Sequence, residues 1–148
     1  QSSLLALNKI KQAGMKSSVM ILNGLGGPEL SRQHAINSAK LMNEAQPDYL
    51  STLVVSFPLG EQRFAQKFDQ ASLQPFRQLT QQELFKEMKT LLSELDLRKT
   101  IFRSDHASNY LVLKGILGND KDALLKQVRL ALKQPSEVSL RQEWQRGL

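Results

Sequence analysis

Apolar positions along this chain alternate between a helical and a strand-like period. Leu4, Leu5, Leu7 and Ile10, with Lys11, suit an amphipathic helix that stops at Gly14, a residue fitted to close a helix. Ser17 to Leu22 holds Val-Met-Ile-Leu, a short buried strand running into Asn23 and Gly24. Gly26, Gly27 and Pro28 make a turn, and Ser31 is the expected N-cap of the next helix. That helix carries Ala35, Ile36, Ala39, Leu41, Met42 and Ala45 on one side and ends before Pro47. Tyr49 to Ser56 contains Leu-Val-Val, a second strand closed by Phe57-Pro58. Residues 59–78 are less regular, with one or two helical turns expected over 61–68.

Thr80-Gln-Gln-Glu83 has the form of a capping box, followed by Leu84, Phe85, Met88, Leu91, Leu92 and Leu95 at helical spacing. A third strand is expected over Lys99 to Phe102. Asn119 or Asp120 can then cap a last helix through Ala123, Leu124, Val128, Leu130 and Leu132, before Pro135. The only tryptophan, Trp144, is expected to fold back on the body, and Met15, Met20, Met42 and Met88 to fill the core. Strand and helix in alternation predict an α/β fold, a parallel sheet with right-handed crossovers. Three strands cannot close a barrel, but they can form one arc of a partial (β/α) barrel. No repeat or linker divides the chain, so residues 1–148 read as a single domain.

Composition narrows the function classes. At 41% hydrophobic and 23% charged residues, the chain reads as globular. No apolar run approaches the ~20 residues of a membrane helix, and the N-terminus lacks the pattern of a signal peptide. The expectation is therefore a cytoplasmic protein that does not enter a membrane. Cysteine is absent, which removes disulfides, thiolate nucleophiles and cysteine-held clusters from these residues. The chain begins at Gln1 inside a helical pattern, and is expected to be a piece of something longer. Its net charge of +6 gathers in the last third: residues 98–148 hold ten Lys/Arg against five Asp/Glu. Such a segment can meet RNA or another anionic partner, or can simply be a solvated helix face. With two tyrosines and one tryptophan there is no basic–aromatic interleaving for base stacking.

The chemistry concentrates in Arg103-Ser-Asp-His-Ala-Ser-Asn-Tyr110, where six hydrogen-bonding side chains leave a strand within seven positions. The mouth of a parallel sheet is where α/β proteins bind ligands. His106 can act as a general acid or base, with Asp105, Ser104 or Asn109 orienting it. Arg103 can hold a carboxylate or phosphate through its planar fork. The competing reading is a polar plug in which Arg103, Asp105, Ser108 and Asn109 satisfy one another and the backbone. A serine hydrolase is disfavoured: Ser56, Ser104 and Ser108 lie near His106 or a strand end, but no G-x-S-x-G elbow is present. His34 lies in a helix far from His106 in sequence, which argues against a two-histidine metal site. Asn23-Gly-Leu-Gly-Gly-Pro-Glu29 can bring backbone amides and a helix N-terminus to a ligand, but its glycine spacing is not that of a dinucleotide fingerprint.

Taken together, Val19 to Gly27, Phe102 to Gly115, Asp120 to Leu125 and the terminal Arg141 to Leu148 resemble the C-terminal half of radical S-adenosylmethionine (radical SAM) proteins of the Fe–S oxidoreductase branch. The resemblance implies a partial TIM-like barrel of about six strands, with Ser17 to Leu22 as the fifth and Tyr49 to Ser56 as the sixth. It also implies S-adenosylmethionine and a [4Fe–4S] cluster in the parent protein. There a C-x-x-x-C-x-x-C loop holds the cluster, which reduces the cofactor to a 5′-deoxyadenosyl radical. Leu22, Gly24, Gly26, Gly27 and Ser56 fall on the cofactor side. No role for Arg103, Asp105, His106, Ser108 and Asn109 follows from that radical mechanism; they are expected to face the barrel mouth and touch substrate or close the site.

Two departures matter. Met20 replaces the first glycine of the family's G-x-I-x-G-x-x-E strand, and Gly27 replaces its glutamate, with Glu29 two residues further on. The cysteine loop is missing altogether. The expectation is a C-terminal portion that is inactive alone, completed by an N-terminal half barrel or pairing with a second copy through an exposed strand edge. A non-catalytic basic binding module is the alternative.

Overall fold

The computed structural model describes residues 2–58, 60–69 and 75–147. Expectations that touch Gln1, Leu59, residues 70–74 and Leu148 lie outside the described residues. Helix α1 (Ser2–Gln12) precedes β1 (Ser18–Asn23), α2 (Gly27–Ala45) and β2 (Tyr49–Val54). Then come α3 (Gln62–Asp69), α4 (Gln81–Glu94), β3 (Thr100–Ser104), β4 (Leu113–Leu117) and α5 (Lys121–Lys133). The strands form one sheet in the order β1-β2-β3-β4. The first three are parallel, and β4 runs antiparallel to β3.

The fourth strand corrects the three-strand expectation. Leu113 and Leu117 are buried while Lys114 and Ile116 are exposed, so the segment has a strand's period of two. A run of leucines after a polar motif hides that period until a partner strand sorts the two sides. The turn into α5 depends on Gly118, whose φ is +110°; a Cβ there would sit 2.1 Å from the Arg98 carbonyl oxygen.

Helix boundaries follow local chemistry with two exceptions. Thr80 and Glu83 cap α4 reciprocally, Thr80 Oγ1 accepting the Glu83 N–H and Glu83 accepting the Thr80 N–H at 2.8 Å. Ser31, however, is not the N-cap of α2. Gly26 holds that position with Pro28 in the first turn, and the Ser31 hydroxyl donates to Glu87 instead. Asp120 sits at the start of α5, but its carboxylate accepts the Ile116 N–H at 2.7 Å rather than a helix amide.

Burial shows where the layers lie. Ile21, Leu50, Phe102, Leu113 and Leu117 share a core with Ala39, Met42, Phe85, Met88, Leu91, Leu92, Leu124 and Val128 from α2, α4 and α5. Burying each large side chain contributes about 1.5–3 kcal/mol. The residues that alternate with them on the strands face the other way and stay open. Met20 is 68% exposed, Ile116 43%, Leu22 41% and Tyr49 38%. The sheet is therefore packed by helices on one face and bare on the other.

Met20 and Met15 are thus surface residues rather than core fillers, while Met42 and Met88 are buried as expected. Trp144 is also corrected: it is 82% exposed. The terminal segment does return to the body, but through a Leu111–Leu140 bridge and the Arg141 N–H on the Tyr110 carbonyl at 2.8 Å. Helix α1 packs on α2 beside the free edge of β1. Among the described residues no helix is long and apolar enough to cross a membrane.

Candidate functional site

Strand β3 ends at Ser104, and the chain turns through Asp105 to Tyr110 at the carboxyl end of the parallel strands. Ser108 and Asn109 are buried there and serve the neighbouring strand. Ser108 Oγ accepts the Val54 N–H at 3.0 Å, and Asn109 Nδ2 donates to the Thr52 carbonyl at 2.8 Å. Both extend β2's hydrogen bonding past the point where β3 stops pairing with it, as buried polar groups require.

Two arginines from the terminal segment hold the outside of this loop. Arg141 donates to the carbonyls of His106 and Asn109 at 2.9 Å and of Asp105 at 3.1 Å. Arg146 donates to the Ser108 carbonyl at 2.9 Å and lies over the Tyr110 ring, its guanidinium carbon 3.8 Å from the centroid. Glu143 joins them by accepting the Tyr110 hydroxyl and pairing with Arg146 at 2.7 Å. Burial, and then this carboxylate, push the Tyr110 phenol up to about 12. Sequence reasoning gave Arg141 and Arg146 no role in the loop; their place in the terminal pattern was the only available signal.

Ser108 and Asn109 satisfy the backbone as the polar-plug reading expected, but Arg103, Asp105, Ser108 and Asn109 do not satisfy one another. Asp105 pairs with Lys114 at 3.0 Å. The Lys114 hydrogen bond holds its carboxyl below the usual carboxylate range, with a smaller contribution from Arg103. His106 is oriented by Ser108, not by Asp105, Ser104 or Asn109. Its Nδ1 accepts from the Ser108 N–H at 3.2 Å and lies 2.9 Å from the Ser108 hydroxyl. Accepting from a backbone N–H requires an unprotonated Nδ1, so neutral His106 carries its proton on Nε2. The ring is exposed. Ser104 is buried on the helix side of the sheet.

Arg103 is exposed on the bare face. Its Nη1 reaches its own strand at the Phe102 carbonyl, 3.0 Å away. Pairing sets a row across the sheet: Met20 opposite Ser51, Ser51 opposite Arg103, and Arg103 opposite Lys114.

The glycine turn is packed from within. The Gly24 N–H donates to Glu87 at 2.9 Å, and a Cβ on Gly27 would lie 3.0 Å from the Phe76 ring. Glu87, on α4 and 2% exposed, also accepts from Ser31 and meets His34 Nδ1 at 3.3 Å. The turn's geometry is thus set by Glu87 and Phe76. Glu87 was missed because a glutamate inside an amphipathic helix normally reads as surface. Phe57, Phe64, Phe68 and Phe76 stack beside this turn, with centroids 4.8–5.9 Å apart. Leu22 is exposed on the bare face, and Ser56 lies exposed just beyond β2.

The two regions are brought to the same end of the sheet, Gly24 after β1 and His106 after β3. Among the described residues no three His, Asp or Glu side chains converge on a metal position. A cluster held by three cysteines does not fit a chain that has none, so no chemical step is derived through one. No family model matches this chain, and neither a curated protein nor a solved structure is significantly similar to it.

Proposed function

We propose that this chain is the C-terminal portion of a radical SAM Fe–S oxidoreductase, contributing one arc of a partial (β/α) barrel and inactive without the cluster-bearing part. The observation that supports it most is the bare face. Parallel strands are almost always covered on both faces. Here helices pack on one face, while Met20, Leu22 and Tyr49 stand open on the other. An arc of barrel wall, helices outside and lumen side open, would have this arrangement. The resemblance of the Phe102 to Gly115 segment supplies the family.

The edge of β1 fits the same reading. Ser17 and Asn23 direct their carbonyls to β2, so Ser18, Met20 and Leu22 turn their backbone groups to the free edge. A preceding strand would pair there, under the overhang of α1. In the isolated chain this edge would pair two copies. In the parent enzyme S-adenosylmethionine would supply the radical that abstracts hydrogen. This chain would present the Leu22 side of β1 to it, with Arg103 and His106 facing the substrate.

The decisive experiment is to read the coding sequence upstream of Gln1. A continuous frame with a C-x-x-x-C-x-x-C loop supports the proposal, and a frame without that loop overturns it. The alternative, a basic module for RNA or another anionic partner, draws less support. Lys121, Arg141 and Arg146 are already engaged by carbonyls of the fold.

A further inference from the structure

The bare face carries an unusual charge arrangement. Arg103 and Lys114 are direct partners across β3 and β4, both on that face and both exposed. Like charges placed opposite each other on a sheet repel. One carboxylate, Asp105, answers Lys114 at 3.0 Å. Among the described residues no carboxylate pairs with Arg103, whose only hydrogen bond is to a carbonyl of its own strand. Two cations share one carboxylate, which bonds Lys114 and attracts Arg103 more weakly, so the group keeps one net positive charge and the Arg103 fork stays open to an oxyanion.

The surroundings specify more. Along the same row lie Ser51 and Met20, and on the flanking row Tyr49, Ile101 and Ile116. Met20, Tyr49 and Ile116 are more exposed than side chains of their size normally are. Arg103 therefore lies between Ser51 and Lys114, beside an apolar row that crosses the sheet from Tyr49 through Ile101 to Ile116.

We propose that this face binds an organic oxyanion, a carboxylate or phosphate on an apolar body, with Arg103 gripping the anionic head and Lys114 as second cation. The proposal rests on the barrel-wall reading for its place in a reaction, and names the substrate class that reading leaves open. Asp105 holds Lys114 in position, so the pair presents a net single positive charge. The body of the ligand would lie over the flanking row, on Ile101 and its neighbours Tyr49 and Ile116. An anion of this kind gains from both rows, whereas a neutral or cationic molecule leaves Arg103 unanswered.

The test uses the 148-residue chain in nitrogen-edited and methyl NMR titrations at constant ionic strength. Inorganic phosphate and benzoate are the two probes. Saturable shifts at Ser51, Arg103, Asp105 and Lys114 are expected, with a dissociation constant in the millimolar range, that is, about −4 kcal/mol at 1 mM. Arg103→Gln should weaken binding at least tenfold and Arg103→Lys about threefold, while Lys126→Gln on α5 should change nothing. Movement of the Ile101 and Ile116 methyls with benzoate alone supports a carboxylate on an apolar body. Tighter binding of phosphate than of benzoate supports a phosphate head. Shifts that never saturate, that spread over all surface cations, or that survive Arg103→Gln overturn the proposal. None of these readouts depends on an upstream cysteine loop, so its failure and that of the barrel reading are separable.

Discussion

The carboxylate of Glu87 takes the backbone N–H of Gly24 at 2.9 Å, tying the middle of α4 to a turn 63 residues earlier in the chain. A buried carboxylate is tolerated only when its oxygens are answered. Here Gly24, Ser31 and His34 answer them.

Removing that carboxylate strands three partners at once. Glu87→Ala should cost about 2–4 kcal/mol and Glu87→Gln, which keeps one acceptor for Gly24, about 1–2 kcal/mol. Urea unfolding measures both. Equal stability of Glu87→Ala and the parent chain would show that the turn does not need this anchor.

The arginine strap gives a second prediction. Arg141→Ala leaves the carbonyls of Asp105 and Asn109 without their side-chain donor, and that of His106 with only the Asn109 N–H, and should cost about 2 kcal/mol. Arg141→Lys should rescue little, since one ammonium cannot span three carbonyls. The Asn109 N–H, bonded to the His106 carbonyl at 3.0 Å, should lose hydrogen-exchange protection in both variants. Unchanged exchange at Asn109 would contradict this.

Gly118→Ala is expected to be the most damaging small substitution. The new methyl would meet the Arg98 carbonyl at 2.1 Å, and φ of +110° is strained for any L side chain. A loss of about 3 kcal/mol or more follows. Thermal unfolding checks it, against Gly14→Ala, where φ is +71° but no atom lies within 4 Å. That control keeps the strain and removes the clash.

Acid stability should depend on Glu83. The Arg77 hydrogen bond, followed by the Thr80 N–H, lowers its carboxyl from 4.5 to about 2. A depressed carboxyl stabilises the fold fully above its unfolded value and progressively less below it. The contribution should therefore be complete above pH 4.5 and fade as pH falls toward about 2. Glu83→Gln keeps an acceptor for the Thr80 N–H but loses the charge paired with Arg77, so it should flatten this part of the stability profile and cost about 0.5 kcal/mol at neutral pH. A profile of the same slope in the variant would assign the acid sensitivity elsewhere.

Alkaline titration tests the other side of the motif loop. A phenol raised from 10.0 to about 12 keeps its full contribution below pH 10.0 and loses it as pH rises through about 12. In the tyrosine absorbance titration Tyr110→Phe should delete a phase near pH 12. A variant that keeps that phase would place Tyr110 outside the Glu143 and Arg146 contacts.

Much of the architecture was written locally. The α4 capping box, the end of α2 before Pro47, the glycine closing α1 and the three parallel strands depend on neighbours a few residues apart, and each was legible. The site was legible only as a place: the residues Arg103 to Tyr110 do leave a strand at the mouth of the sheet. Their partners were not, because Ser108 bonds across 54 residues to Val54 and Arg141 across 36 to Asp105. No local period encodes such a pairing.

The sequence by itself determined which segments become helices and strands, through apolar period, turn residues and caps. It also determined that cysteine chemistry is closed to this chain. The tertiary structure alone decided that β4 joins the sheet antiparallel and that Glu87 is an internal anchor. It also decided that Met20 faces solvent while Met42 does not. The physical reason is the same in each case. A strand's two sides are equivalent until helices cover one of them, and a polar side chain's role is fixed only by the groups folding brings within hydrogen-bond reach.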